Sequence, residues 1–406
     1  MRVSTQQFYY QSTQQMTNTQ SEVNRQSNYL SSGKRVMSAK DDAISFSTLS
    51  GYKNELTKLD QYQRNMTSAK NRNSLTETSL SLTESTLQRV KQLFLQANNG
   101  SLSNSDRSSI ADNVQQHFNQ ILDIANTKDE TGGYIFSGFQ VDQAAFTVQP
   151  DNTVSYHGDT GVKKLAIANN VDIALNQTGD QVFNKVPNAV GDFSPTYLVN
   201  NGNISVTSAS IVNRGVYDKT SFPPDYTLNF TDTNSDGVLE VSVVDSASNN
   251  VVTINPYTPG NPIQFNGVEV KVDGQPSVGD KVSLKPAQNV SVFDTLKAAI
   301  SWLKTGSTPA TDGQHTVDYN HILKQLDSAQ SYISSQQAQA GINLNLIDRQ
   351  TSNQADTRLY MEKGKSSIED LDFASAVSQF EQSKVALQAA QKTYTQVQKL
   401  SLFNYI

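Results

Sequence analysis

All eleven prolines of the chain lie between Pro150 and Pro309, so the first 149 residues and the last 97 contain none. A proline removes an amide donor and crowds the preceding turn; it breaks helix interiors and is confined to edges and turns of sheets. Both proline-free ends carry apolar residues at helical spacing. The pattern divides the chain into two helical arms around a non-helical middle. Arms from opposite ends of one chain pack together only if the middle is an insertion between them. That arrangement suits an elongated assembly subunit better than a compact enzyme.

Composition narrows the class further. At 406 residues the length allows two or three domains. Only 36% of the residues are hydrophobic, and the arms are crowded with Gln, Ser, Asn and Thr. Much of the helical surface must therefore face water or a neighbouring subunit. A net charge of −6 argues against a nucleic-acid binder, which would show a basic patch. No window approaches the ~18 apolar residues of a membrane helix, and the opening MRVSTQQFYYQSTQQ lacks the apolar core of a secretory signal. With no cysteine there is no disulfide, thiolate metal site or cysteine nucleophile. These features alone read as cytosolic.

Along the N-terminal arm Tyr9, Met16, Val23 and Leu30 stand seven apart among polar neighbours. So thin a stripe forms a helix only against a partner. Leu30-Ser31-Ser32-Gly33 interrupts it, and a longer pattern starts near Asp42. Tyr52, Leu59, Met66, Leu80, Leu87 and Phe94 keep the seven-residue spacing, with Asn73 as a polar break, and Asn98-Asn99-Gly100 ends the helix. Ser103 and Asp106 have capping-box spacing before a third helix carrying Ile110, Val114, Phe118 and Ile121. Tyr134 to Phe139 reads as an aromatic-rich extended segment entering the middle.

Between about 141 and 290 the period switches to two. Phe146–Val148 and Val154–Tyr156 read as a hairpin. Tyr226–Phe230 and Leu239–Val243 flank another turn, and Val268–Val272 and Lys281–Leu284 flank Asp273-Gly274 and Gly279-Asp280. The expectation is a β-rich sandwich or barrel. Helical spacing returns near Val292, with a short helix to Gly306 and, after Pro309, a long helix from Tyr319 to Leu359. Finally Phe373, Phe380, Leu387 and Tyr394 again stand seven apart, with Ala376, Ala390 and Val397 three behind. This seam is the natural partner of the N-terminal one. The fold class expected is α+β: mainly α arms, packed as a coiled coil or bundle, with an inserted all-β domain. Residues 1–42 with 365–406 form a terminal coiled coil, mobile in the monomer; 43–140 with 291–364 a helical core; and 141–290 a β-rich outer domain.

The arms resemble the flagellin superfamily. Leu30-Ser31-Ser32-Gly33-Lys34-Arg35-Val36-Met37-Ser38-Ala39-Lys40-Asp41-Asp42-Ala43 is similar to its N-terminal signature, and Ile368-Glu369-Asp370-Leu371-Asp372-Phe373-Ala374 to its C-terminal one. Within the superfamily, Gly133–Phe139, Val385–Lys392 and Lys399–Ile406 resemble the hook–filament junction branch rather than flagellin itself. The resemblance implies a flagellin-like fold and a non-enzymatic structural role without cofactor, joining hook to filament. The implied partners are flagellin, hook-associated protein 1, further copies of the same chain and a flagellar export chaperone. It also replaces the cytosolic reading with an extracellular one, reached through the flagellar export channel without a cleaved signal. The assembly interface expected comprises Tyr9, Met16, Val23, Leu30, Phe373, Phe380, Leu387, Tyr394, Val397 and Leu402. Ser38, Lys40, Asp41 and Asp42 form a hinge at a helix start, where acids also favour the helix dipole.

Other motifs have plainer accounts. Asp232-x-Asn234-x-Asp236-Gly237 matches half of a calcium loop, but its twelfth position is Val243 rather than an acid, so a polar turn is the better reading. His117, His157, His315 and His321 lie in different segments, the last two off ligand spacing, and read as surface histidines. Glu369 and Asp370 are expected to be buried only on assembly, and Trp302 to anchor its short helix. No nucleophile elbow, phosphate loop or HExxH occurs. Two alternatives remain at this level: a small flagellin that forms the filament itself, or a flagellin-like chassis whose middle binds glycan as an adhesin.

Overall fold

The computed structural model describes residues 4–305 and 312–403, with side chains at 7, 9–305 and 313–396. Six helices frame it: α1 (Ser4–Ser32), α2 (Ala43–Ala97), α3 (Asn104–Ala125), α4 (Val292–Lys304), α5 (Asp312–Glu369) and α6 (Phe373–Phe403). Among the described residues all fourteen strands lie between α3 and α4, which is where ten of the eleven prolines of the sequence stand. The chain forms two compact units, residues 1–64 with 349–406 and residues 65–348, with α2 and α5 contributing to both.

The first unit joins α1, α6, the start of α2 and the end of α5. It extends beyond the expected boundaries of 42 and 365 because α2 and α5 pack on each other there. Gly364 lets the Tyr52 ring lie against the α5 backbone: a Cβ at that glycine would fall 2.8 Å from Tyr52 Cζ. The side chains of Asp60 and Arg358 pair across the same two helices.

In the second unit α2, α3, α4 and α5 share one core. Leu80, Leu87 and Phe94 meet Val114, Phe118, Phe293, Leu296 and Leu326, all buried. Helix α3 begins with the expected capping box. The Ser103 hydroxyl accepts from the Asp106 amide at 3.2 Å, and the Asp106 carboxylate accepts from the Ser103 amide at 3.0 Å.

The middle segment divides differently from the expected 141–290. Strands β1 (Phe146–Val148) and β2 (Val154–Tyr156) pair as the anticipated hairpin. Strands β3 (Lys164–Ala168) and β4 (Val171–Ala174) form a second one. Phe146, and Phe183 from a single π-helical turn at Asp180–Asn184, contact Phe293 at 5.1 and 5.8 Å between ring centroids. Phe146, Val182, Phe183 and Val186 are therefore part of the helical core, while Ile167 and Ile173 of the second hairpin pack on Met66, Ala69 and Ile347 in a smaller cluster. The stretch Tyr134 to Phe139 is not extended either. Gly138 turns it at φ +72°, and Ile135 and Phe136 are buried.

Strand β5 (Val186–Pro187) pairs with β14 (Asn289–Val290) as a stem. Beyond it a separate core lies between two antiparallel sheets. One contains β6 (Phe193–Val199), β8 (Tyr226–Thr231), β9 (Glu240–Val244), β10 (Asn250–Ile254) and β13 (Lys281–Pro286), in the order β10-β9-β8-β13-β6. The other has β7 (Ser205–Ile211), β11 (Ile263–Phe265) and β12 (Val268–Asp273), in the order β11-β12-β7. Alternate residues of β8 (Tyr226, Leu228, Phe230) and β12 (Val268, Val270, Val272) face this core, the period-two pattern of a half-buried strand. The domain is a sandwich; among the described residues no sheet closes into a barrel. Although β12 and β13 flank one turn, they do not pair, and the link between them crosses from one sheet to the other.

At Asp232 the calcium-like motif is a turn. The carboxylate accepts from the amides of Asp236 at 3.1 Å and Gly237 at 3.0 Å. No helix of the described residues is long and apolar enough to cross a membrane.

Candidate assembly interface

Helix α1 ends where the sequence requires. The Gly33 amide donates to the Tyr29 carbonyl at 2.9 Å, and Gly33 takes φ +68°, a left-handed stop that an L side chain resists. The chain then runs beside the end of α5. The Arg35 amide donates to the Glu369 carbonyl at 2.7 Å, and the Leu371 amide to the Gly33 carbonyl at 3.0 Å. Arg35 also donates its guanidinium to the Ile368 carbonyl at 3.0 Å. The two signature segments, more than 300 residues apart in the chain, therefore form one paired turn.

The centre of this turn is a carboxylate whose lysine partners sequence reasoning missed. Glu369 is 2% exposed. Lys34 Nζ and Lys53 Nζ both approach its Oε1 at 2.8 Å, and Lys365 Nζ lies 3.6 Å from Oε2. Burial pushes this carboxyl upward, but Lys34 and Lys53 more than offset it and hold it at about 2. The expectation that Glu369 is buried only on assembly is thus corrected: it is buried in the single chain, where Lys34 and Lys53 stabilise its charge. Only the Lys365–Glu369 pair, four apart on one helix, left a trace in the sequence; the other two lysines arrive through the fold.

The hinge residues divide into separate roles. Asp41 accepts from the amides of Ser38 at 2.8 Å and Met37 at 3.0 Å, from the Ser38 hydroxyl at 3.1 Å and from the Tyr29 hydroxyl at 2.9 Å. These donors, the Ser38 amide first, hold its carboxyl below the usual range. Asp42 caps α2, accepting from the Ser45 hydroxyl at 2.6 Å and from the amides of Ser45 at 3.0 Å and Ile44 at 3.1 Å. The Ser45 hydroxyl leads in lowering its carboxyl. Lys40 is exposed. Asp372 plays the capping part for α6, taking the Ala374 amide at 3.1 Å.

From this turn α1 and α6 run side by side. Tyr9, Met16, Val23 and Leu30 on α1, and Phe380, Leu387 and Tyr394 on α6, are half-buried. Among the described side chains of these two helices, Ala376 at 3% and Gln26 at 7% exposure are the buried ones. Phe373 begins the α6 seam but remains mostly exposed, its ring 3.6 Å from where a Gly33 Cβ would stand. The side chains of Val397 and Leu402 lie outside the described residues. Tyr10 on α1 and Val377 and Val385 on α6 are exposed, as is Ile44 at the start of α2. One chain thus covers each seam only in part, and large apolar side chains flank it.

The histidines need a second correction. His315 and His321 are half-buried rather than open at the surface: the Nε2 atoms of both are buried, and the two residues line a cleft beside α4. Among the described residues no three His, Asp or Glu side chains converge as a metal site.

Two family models match the chain: the bacterial flagellin N-terminal helical region over residues 3–141, and the bacterial flagellin C-terminal helical region over residues 323–406. Ends that meet in a paired turn and run on as a helix pair, with a sandwich inserted between, define a subunit of the flagellin class. The chain is similar to flagellar hook-associated protein 3 of Escherichia coli K12, 33% identical over 193 residues, which are 47% of this chain and 60% of that protein. The match therefore spans less than two thirds of that relative's length. It is also similar to the phase 1 flagellin of Salmonella naestved, 34% identical over 122 residues, 30% of this chain and 24% of that one. The crystal structure of the flagellar junction protein FlgL from Legionella pneumophila matches with a TM-score of 0.67 at 30% identity, covering 80% of this chain and all of that one. The chain belongs to the FlgL family of flagellar hook-associated proteins.

Proposed function

We propose that this chain is a structural, non-enzymatic subunit that joins the flagellar hook to the filament, contacting hook-associated protein 1 on one side and flagellin on the other. The observation that carries the reading is the half-covered seam of α1 and α6, held in position by the paired signature turn. An apolar stripe left partly open in one chain is completed by neighbours, and head-to-tail contacts between copies repeat heterologously around a tube. Further copies of this chain, in a ring or short stack, would buffer the mismatch between a curved hook and a differently built filament. The family resemblance supports an extracellular position reached through the flagellar export channel with the help of an export chaperone.

Truncation after residue 364 tests the role of the seam. The strain is expected to keep hooks, lose filaments and shed monomeric flagellin into the medium, while the remaining chain stays folded by circular dichroism. A truncated chain that still joins hook to filament overturns the proposal. Growth of long filaments from the purified full chain alone would instead identify a filament flagellin.

A further inference from the structure

The contact between α4 and α5 in the helical core holds a cluster around the tryptophan of the chain. Trp302, the sole tryptophan of the chain, donates its Nε1–H to the His315 carbonyl at 2.8 Å. Its ring stacks on the His315 imidazole, with centroids 4.1 Å apart and planes at 21°. Asp318 and His321 follow at intervals of three residues, and with Ser301 and Thr305 they line a cleft of about 310 Å³. Among the described residues neither buried Nε2 has a hydrogen-bond partner.

A neutral imidazole can occupy such a place, but a protonated one needs an acceptor or water for its second N–H. Around His321 the charged groups are Asp318 and Lys324, each three residues away on α5. The Asp318 carboxylate is engaged by the Gln314 side-chain amide at 2.7 Å. Helix α4 brings Ala298, Ser301, Trp302 and Thr305 to the cleft, none of them charged. Helix α2 brings Phe94, packed on Trp302 and Tyr319. From β6 comes Tyr197, whose phenol senses Asp318.

We propose that His321 is an acid-sensitive latch in the α4–α5 contact: a proton taken up between neutral pH and about pH 5 charges a nitrogen that lacks an acceptor, and the contact opens around Trp302. Burial, partly opposed by Asp318, places the His321 imidazole below its ordinary 6.5. A base lowered in this way stabilises the fold above 6.5, and that contribution is lost as pH falls through its folded value. Asp318, raised by burial, contributes in the opposite sense, with stability present at low pH and lost as pH rises. Substitutions therefore assign the effect where the bare pH curve does not.

The test follows Trp302 emission of the full chain from about pH 7.5 to 5. A red shift with one midpoint below 6.5 is expected. It should vanish in H321Q, persist in H315Q and move to lower pH in D318N. No shift in the unaltered chain, or an equal shift in H321Q, overturns the proposal. Should H321Q fail to fold by circular dichroism, the His321 Cε1–H resonance of the unaltered chain decides. A midpoint shared with Trp302 emission supports the latch, and separate midpoints sink it.

Discussion

Glu369 shows how a single side chain can link the two ends of this molecule. Lys34 and Lys53 outweigh its burial and hold its carboxyl at about 2, against 4.5 unperturbed. A depressed carboxyl contributes stability above 4.5 that disappears as pH falls through 2. Glu369→Gln should therefore destabilise the terminal unit at neutral pH by about 2 kcal/mol, less than a fully buried pair because the lysines are half exposed. The deficit should close near pH 2, where the unaltered chain has lost the same term. Denaturant unfolding at both pH values checks this, and an equal deficit at pH 2 would show that charge is not the cause. Gly33 makes a second residue-level case. At φ +68° an alanine costs about 1–2 kcal/mol from its own backbone alone. Gly33→Ala should lower the stability of the α1–α6 region, measured by its thermal transition, whereas Gly51→Ala, with nothing within 4 Å of its Cβ, should leave that transition in place or raise it slightly.

Among the elements, legibility followed periodicity. The seven-residue spacing of Tyr52 to Phe94 and the capping pair Ser103 and Asp106 predicted α2 and the start of α3, because local rules govern both. The hairpin at Phe146–Tyr156 was readable from its alternation and turn, but its destination was not, since which core an aromatic enters depends on partners distant in sequence. The same limit hid the lysines around Glu369 and the buried Nε2 atoms of His315 and His321. The terminal seams were legible as residues and as partners; what they lack is burial. Helices with such sparse apolar stripes gain most of their stability from packing. In dilute solution the amides of α1 and α6 should thus exchange far faster than those of α2 between Leu80 and Phe94, where the stripe is buried. Incorporation into the flagellum should slow them. Hydrogen exchange by mass spectrometry reads both states, and equal protection of α1, α6 and α2 in the isolated chain would contradict the idea that neighbours complete the seam.

At the scale of the whole molecule, the sandwich is joined to the helices of the second unit in a way that permits its removal. Its core, from Val190 to Leu284, is separate from the helical one, so deleting it exposes no side chain that the helices bury among themselves. The chain enters and leaves through the β5–β14 stem, where the Asn188 amide donates to the Gln288 carbonyl at 3.0 Å and the Asn188 side chain to the Ala287 carbonyl at 2.8 Å. Two strands already held at hydrogen-bonding distance need only a short turn to close, and loop closure over a few residues costs little. Replacing residues 190–286 by a two- or three-residue Gly-containing turn should therefore give a chain that folds, with the α-helical signal and the packing of Phe146, Phe183 and Phe293 retained. A deletion starting at 145 should fail, because it also removes Phe146 and Phe183 from the helical core. The two deletions separate the roles of the middle segment. If the shorter one keeps hook and filament joined, assembly resides in the helical parts and the sandwich is an outward addition; if motility survives while attachment to surfaces is lost, the sandwich carries a binding role of its own. Failure of the shorter deletion to fold, with the 145 deletion no worse, would mean that the helical core depends on the sandwich despite the separation of their hydrophobic cores.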